Sequence, residues 1–326
     1  MRAFFYFLGI VLVLASAGAA CVAIYAWDYY DSPGPLKTPT TIVFTKGEGF
    51  QGIVAELVRQ GAIDDPILFE GIAAALGSGR TFKAGEYSFP ANATPHKIMG
   101  MIASGKVVVH KVTIPEGLTV REITKILMAE PALEGEVPAD IKEGSLMPET
   151  YHFTRGEKRQ EVIARMQAAM KLTVDGLWQK RKPDPLITTP EQALTLASIV
   201  EKETGVVAER GHVASVFLNR LRLGMKLQSD PTVVYGMEAA MGAPLGRALT
   251  TVDLQTPTAY NTYVIAGLPP GPIANPGKAA IEAVMNPPDT SDLYFVATGS
   301  GGHNFASSLE EHNRNVQAYR ERIAAR

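Results

Sequence analysis

The sequence predicts an α+β protein: a transmembrane helix at the N-terminus, a small βααβ module, then a larger mixed α+β domain. Three observations carry this. Helical and strand patterns do not alternate regularly, which argues against a doubly wound parallel sheet. No residue from 3 to 27 is charged. The stretch 191–205, EQALTLASIVEKETG, is apolar around nearly its whole girth, as an interior helix is.

Composition narrows the chemistry. The chain has 326 residues, enough for about two domains. A formal net charge of -2 argues against a large electrostatic footprint for nucleic acid. Cys21 is the single cysteine, so an intrachain disulfide, a cysteine nucleophile and a cysteine-based zinc site are not expected.

The uncharged run 3–27 spans about 37 Å as a helix at about 1.5 Å per residue, more than the roughly 30 Å of a hydrocarbon core. Arg2 precedes it, Asp28 and Asp31 follow, and Tyr25, Trp27, Tyr29 and Tyr30 gather at the far end as interface anchors. The pattern predicts a single-pass anchor in the cytoplasmic membrane, with everything beyond residue 30 on the extracytoplasmic side. A cleaved signal peptide competes, since 15–17 and 17–19 are small-residue sites, but the apolar run continues past both. Residues 31–40, DSPGPLKTPT, read as a linker.

Beyond it, 41–45 is expected as a strand, 50–60 and 66–76 as helices and 85–89 as a closing strand. This βααβ pattern resembles a LysM-like module, a fold used to hold amino-sugar polymers, and is assigned to 41–105. A strand at 107–114, a turn and a helix at 119–129 echo the earlier unit. Gly47, Ile53 and Leu57 match Gly117, Ile123 and Leu127 at identical spacing. Residues 146–153 read as loop or short strand and 160–181 as an amphipathic helix with Leu172 on its apolar face. A further helix is expected at 209–223. After it the chain is loop-rich at 228–235, 256–263 and 268–276, followed by a helix at 276–285, a strand at 293–298 and a closing helix at 309–326. The domain beyond 106 is the expected catalytic part, 106–326.

Several chemistries are set aside. The six histidines show no HExxH or other close zinc spacing, so no metal and no cofactor is expected. There is no G-x-S-x-G elbow. Residues 299–302, GSGG, lack the Gly-Lys-Ser/Thr ending of a phosphate cradle and read as a flexible loop that positions His303, Asn304 and Phe305. What remains is the acidic end of helix 191–205. Glu201 continues the Leu194/Ala197 row, while Glu203 continues the Leu196/Val200 row. A carboxyl ending a buried stripe is desolvated and held protonated, the condition for a general acid near neutral pH. The two acids are equally well placed, and both could instead be the solvated end of a core helix. Loops rich in amides, tyrosines and acids (Gln228, Ser229, Asp230, Tyr260, Asn261, Tyr263, His303) have the composition of a polysaccharide groove. Taken singly, Asp230-Pro231 and Asn275-Pro276 are also ordinary turn formers.

Four blocks then carry a resemblance: ASIVEKET at 197–204, ASVFLNRLRLGMKLQSDPTVVYG at 214–236, TPTAYNTYVIAGLPPGPIANPG at 256–277 and LYFVATGSGGHNF at 293–305. They resemble the membrane-anchored endolytic murein transglycosylases of the MltG/YceG-like family. The resemblance implies cleavage of the β-1,4 bond between N-acetylmuramic acid and N-acetylglucosamine inside peptidoglycan strands, leaving 1,6-anhydro-N-acetylmuramic acid ends. It implies the first glutamate of the E-K-E triplet, Glu201, as the catalytic acid. Gln228, Asp230, Tyr260 and Asn261 would line the groove, which Glu149 or His303 would complete. Glycan strands and peptidoglycan synthases would be the partners. A hydrolase using Asp230 or Glu203 as a second carboxylate, or a non-catalytic glycan-binding scaffold, stands beside that reading.

Overall fold

A computed structural model describes residues 2–324. Twelve helices lie among them: α1 Arg2–Asp31, α2 Phe50–Arg59, α3 Pro66–Ala75, α4 Pro95–Ser104, α5 Val120–Ala129, α6 Arg159–Gln179, α7 Pro190–Glu203, α8 Arg210–Arg222, α9 Asp230–Met241, α10 Thr251–Gln255, α11 Lys278–Met285 and α12 Leu309–Ala324. The strands are β1 Thr40–Phe44, β2 Gly85–Phe89, β3 Val109–Thr113, β4 Leu133–Glu134, β5 Thr150–Thr154, β6 Glu157–Lys158, β7 Tyr294–Ala297 and β8 His303–Ala306. Helix dominates and the sheets are two-stranded, so the class is mixed α+β. The chain divides into two compact units, Met1–His110 with His152–Glu157, and Lys111–Tyr151 with Lys158–Arg326. The first unit thus takes in a short later stretch of the chain, 152–157.

In the first unit β1 and β2 run antiparallel, Thr40 opposite Phe89 and Phe44 opposite Gly85. Alternation along the strands sends Ile42, Phe44, Tyr87 and Phe89 inward onto Ile53, Val54 and Leu57 of α2, Phe69 of α3 and Ile98 and Ile102 of α4. Asp65 and Thr94 cap α3 and α4 by accepting from Leu68 N and Lys97 N, with proline next in each case. The third helix, α4, was not expected in the βααβ reading. The stretch 31–40 is not free linker: Leu36 is buried in this core, and its carbonyl accepts from Asn92 N at 2.8 Å. Helix α1 is long and apolar enough to cross a membrane, a property that anchors and signal sequences share. Two of its terminal aromatics serve the module: Tyr29 Oη donates to Asp65 O at 3.0 Å, and Tyr30 stacks on His96 at 4.5 Å.

In the second unit the hydrophobic core is built around α7. Ala193, Leu196, Ala197, Ile199 and Val200 have no exposed surface, and they meet α8, α11, α6 and Ile273. Thr189 caps α7 over Gln192 N, Gln192 reaches back to Thr188 and Thr189, and Pro190 is the first helical residue. The helix ends at Glu203 with Thr204 extended, so Gly205 lies one residue beyond the cap.

Three expectations give way here. Against the loop expected at 228–235, Asp230-Pro231 opens α9: proline fits the first turn of a helix, and an acid there complements the helix dipole. Residues 303–306 form β8 rather than loop, because Gly299, Gly301 and Gly302 take left-handed φ and turn the chain back onto β7. Leu172 is exposed, and Val174 points inward instead. The closing helix is described to Ala324; residues 325–326 lie outside the described residues.

The echo between 47–57 and 117–127 has matching geometry. Gly47 and Gly117 both take positive φ (90 and 77°), and Ile53, Leu57, Ile123 and Leu127 are all buried.

One loop is strapped across the end of α7. Fully buried Asn275 donates from Nδ2 to Leu118 O (3.0 Å) and Glu143 Oε1 (2.9 Å), and its Oδ1 accepts from Leu146 N (2.8 Å). Ile273 N donates to Ser198 Oγ at 3.0 Å. Asn275→Ala removes three buried side-chain hydrogen bonds and leaves their partners unmet. We expect it to lower stability by about 2–4 kcal/mol, read from denaturant unfolding of the detergent-solubilised protein.

Candidate active site

Two residues apart on an α-helix lie about 200° apart around the axis, so Glu201 and Glu203 leave α7 on nearly opposite sides. Their surroundings differ accordingly.

Glu201 is enclosed, its side chain 5% exposed. Oε1 accepts from Arg210 Nη2 at 2.7 Å and Oε2 from Gly277 N at 2.9 Å. The same guanidinium nitrogen reaches Glu116 at 3.0 Å. Lys202 Nζ donates to Gly117 O at 3.2 Å. Burial pushes the Glu201 carboxyl up, while the Gly277 N–H and Arg210 pull it back. Both oxygens are engaged by protein, and the acid ties α7 to α8 and to the 268–277 loop.

Glu203 faces a pocket of about 340 Å³ lined also by Phe217, Arg220, Leu227, Gln228, Asp230, Tyr263, Phe295 and His312. Burial pushes its carboxyl up to about 7. The Ser229 hydroxyl, which donates to Oε1 at 2.5 Å, lowers it, the negative Asp230 raises it, and His303 and Arg220 lower it. This is the environment that lets one carboxyl hold or release a proton near neutrality.

The pocket wall is built by the turn between α8 and α9. Gln228 takes φ 54°, the left-handed region that a side chain occupies at a cost, and its N–H bonds Thr262 O. Arg220, almost fully buried, holds that turn through Leu227 O (2.8 Å) and strand β7's approach through Leu293 O (2.6 Å). Asp230 Oδ1 accepts from Tyr263 Oη at 2.6 Å. Asp230 also lines an adjoining hollow of about 580 Å³ with Lys202, Tyr235, Glu238 and Arg247. The two hollows therefore meet at Asp230.

Of the residues expected at the site, Gln228 and Asp230 stand beside Glu203 in one pocket. His303 lies just behind: it pairs with Glu209 (2.9 Å), packs edge-on against Phe295 (5.4 Å), and its charge is felt by Glu203. Asn261 does not reach the pocket. It is fully buried, and its Nδ2 donates to Leu254 O (3.1 Å) and Thr256 O (2.7 Å) while Oδ1 accepts from Tyr263 N (2.9 Å). Its hydrogen-bonding capacity is consumed in shaping the turn that presents Tyr263. Tyr260 is half-buried edge-on against Tyr235 (4.8 Å) and does not line the Glu203 pocket. Glu149 is exposed just before β5, outside that pocket, with its carbonyl accepting from Ile114 N.

Sequence reasoning did not single out Arg220, Phe295 or His312. Arg220 had a signal, falling three and four residues after Phe217 and Val216 on an apolar face, where a cation has to find partners. It also missed Glu143, whose carboxyl burial pushes up to about 7; it accepts from Val120 N at 3.0 Å and from Asn275. No group of three or more His, Cys, Asp or Glu among the described residues could hold a metal ion.

The sequence profile of the YceG-like family matches residues 42–318. An endolytic murein transglycosylase of Bacillus subtilis (strain 168) is 39% identical over 180 residues, covering 54% of this chain and 48% of the relative. One from Streptococcus pneumoniae serotype 2 (strain D39) is 28% identical over 365 aligned positions, covering 97% of this chain and 65% of the relative. The chain thus spans about half to two-thirds of the length of these relatives. A crystal structure of a yceG-like protein from Listeria monocytogenes superposes with a TM-score of 0.51 at 29% identity, covering 85% of this chain and 99% of that one.

Since Glu203 binds its proton more tightly folded than unfolded, it adds stability at low pH that is lost as pH rises from its ordinary 4.5 through about 7. Glu203→Gln should remove that loss. From pH 5 to 8 the parent should lose on the order of 2 kcal/mol more than the variant, as judged by denaturant midpoints at the two pH values.

Proposed function

Because the chain belongs to the YceG-like family, we propose that it is an endolytic murein transglycosylase whose proton donor is Glu203. One observation carries the assignment: of the two acids ending α7, only Glu203 faces the pocket, and burial holds its carboxyl near 7. The resemblance placed this role on the first glutamate of the triplet, Glu201; the surroundings of the two acids favour Glu203 instead. Glu201 is better understood as the clasp that fixes the end of α7, its oxygens taken by Arg210 and Gly277.

The chemistry follows from a single acid of this kind. Protonated Glu203 gives its proton to the glycosidic oxygen of the β-1,4 bond as the C1–O bond breaks and its electron pair moves to that oxygen. Positive charge builds on the ring, and the negative Asp230 in the same pocket stabilises it. The Glu203 carboxylate then takes the proton of the sugar's own C6 hydroxyl, whose oxygen bonds to C1 and closes the 1,6-anhydro ring. An ordinary glycosidase needs a second carboxylate as nucleophile or as base for water. Here an intramolecular hydroxyl at high effective concentration takes the place of water. A pKa near 7 suits both halves, since the group must be acid in the first and base in the second. The reaction asks for no metal or cofactor.

Helix α1 gives this activity an address in the proposed setting. A retained anchor holds the domain on the extracytoplasmic face of the cytoplasmic membrane, close to nascent strands and the synthases that make them, which raises their effective concentration.

Asp230 also favours a second reading, in which it activates water and the enzyme is a hydrolase. Mass spectrometry of digested strands separates the two, anhydro ends marking the transglycosylase and reducing ends the hydrolase. Glu203→Gln should lower the rate of strand cleavage by about 100-fold or more with the fold intact. Glu201→Gln should act mainly on stability, through the Arg210 ion pair. The reverse ranking in the same assay would return the donor to Glu201.

A further inference from the structure

One polar group in the Glu203 pocket has no part in the reaction above. His312, on α12, lines the pocket with its ring stacked on Tyr294, centroids 5.1 Å apart. Its Nδ1 is buried and meets no hydrogen-bond partner among the described residues. A buried nitrogen left unmet is costly and rare enough to call for a reason.

The geometry also fixes the ring's charge. An imidazolium carries an N–H at both nitrogens. Protonating His312 would bury a charged Nδ1–H with nothing to receive it, in a pocket that already holds the Arg220 guanidinium. Burial, then Arg220, push its pKa down, in keeping with this. The remaining titratable groups of the pocket are Glu203, Asp230 and Tyr263, and Asp230 and Tyr263 bond each other. Ser229 engages Glu203, and no described residue hydrogen-bonds His312 Nδ1. A neutral imidazole offers one donor and one acceptor, and with Nδ1 shut away the nitrogen left to the pocket is Nε2.

We propose that His312 is a further substrate-contacting residue, its Nε2 hydrogen-bonding an uncharged group of the saccharide (a hydroxyl or the acetamide) to hold the sugar being cleaved in reach of Glu203. This rests on the reading of Glu203 as the acid. His312 transfers no proton; it fixes the ring so that the C6 hydroxyl, rather than water, meets C1.

The test uses the full-length protein in detergent on purified glycan strands, with kcat, KM and the ratio of anhydro to reducing ends measured for His312→Phe and His312→Gln. Phenylalanine keeps the stack on Tyr294 and loses both nitrogens, whereas the glutamine amide can stand in for Nε2. His312→Phe should lose about 10- to 100-fold in kcat with a smaller change in KM, and its fraction of reducing ends should rise. His312→Gln should recover most of both. Parent-like kcat and product ratio in His312→Phe would overturn the proposal. So would equal losses in both variants accompanied by a matching drop in melting temperature, since the ring would then be structural. Failure of the parent itself to release anhydro ends strikes the transglycosylase reading instead, and parent-like cleavage by Glu203→Gln strikes the Glu203 assignment, so these failures are separable from that of the His312 proposal.

Discussion

The buried clasp at the end of α7 underlies the rest of the structure. Arg210 and the Gly277 N–H take both oxygens of Glu201, and Arg210 also takes Glu116. A buried ion pair of this kind contributes little over an apolar substitute, but losing one partner strands the other charge in a poorly solvating interior. Its value here lies in position. It joins α7, α8 and the 268–277 loop at the point where the helix stops, and so fixes the direction in which the next acid leaves the helix.

Glu203 owes its character to that arrangement. The turn before α9, with Gln228 in a left-handed conformation, brings Ser229 and Asp230 to one side of the carboxyl, and Arg220 holds the turn from beneath. Burial drives the carboxyl toward its neutral form and Asp230 adds to the effect, while Ser229, His303 and Arg220 limit it. Burial outweighs the opposing influences and leaves the group poised near neutrality rather than locked in one state. Asn261, fully buried, serves the same end by shaping the turn that presents Tyr263 to the pocket.

The first unit follows a different logic. Ile42 and three buried aromatics on β1 and β2 build a compact core with α2, α3 and α4, and the segment leading from α1 is stitched into that core through Leu36. Tyr29 and Tyr30, which composition alone assigns to a membrane interface, spend their polar and aromatic faces on Asp65 and His96. A tyrosine near a membrane boundary can serve either partner, and sequence does not distinguish them.

Patterning determined a good deal. The α+β class, the apolar N-terminal helix and the core helix were all legible, because periodicity and local composition act over a few residues. The family was legible too, from long blocks of unusual sequence. Which glutamate of the triplet faces a cavity was not, since spacing put both on apolar rows. Tertiary structure decided it: Arg210 lies nine residues further on, Gly277 seventy-six, and the walls around Glu203 come from α8, α9, β7 and α12. The same holds for Asn261 and His312. A polar side chain declares its type in the sequence, but whether it caps a turn or meets a ligand depends on which distant backbone groups reach it first.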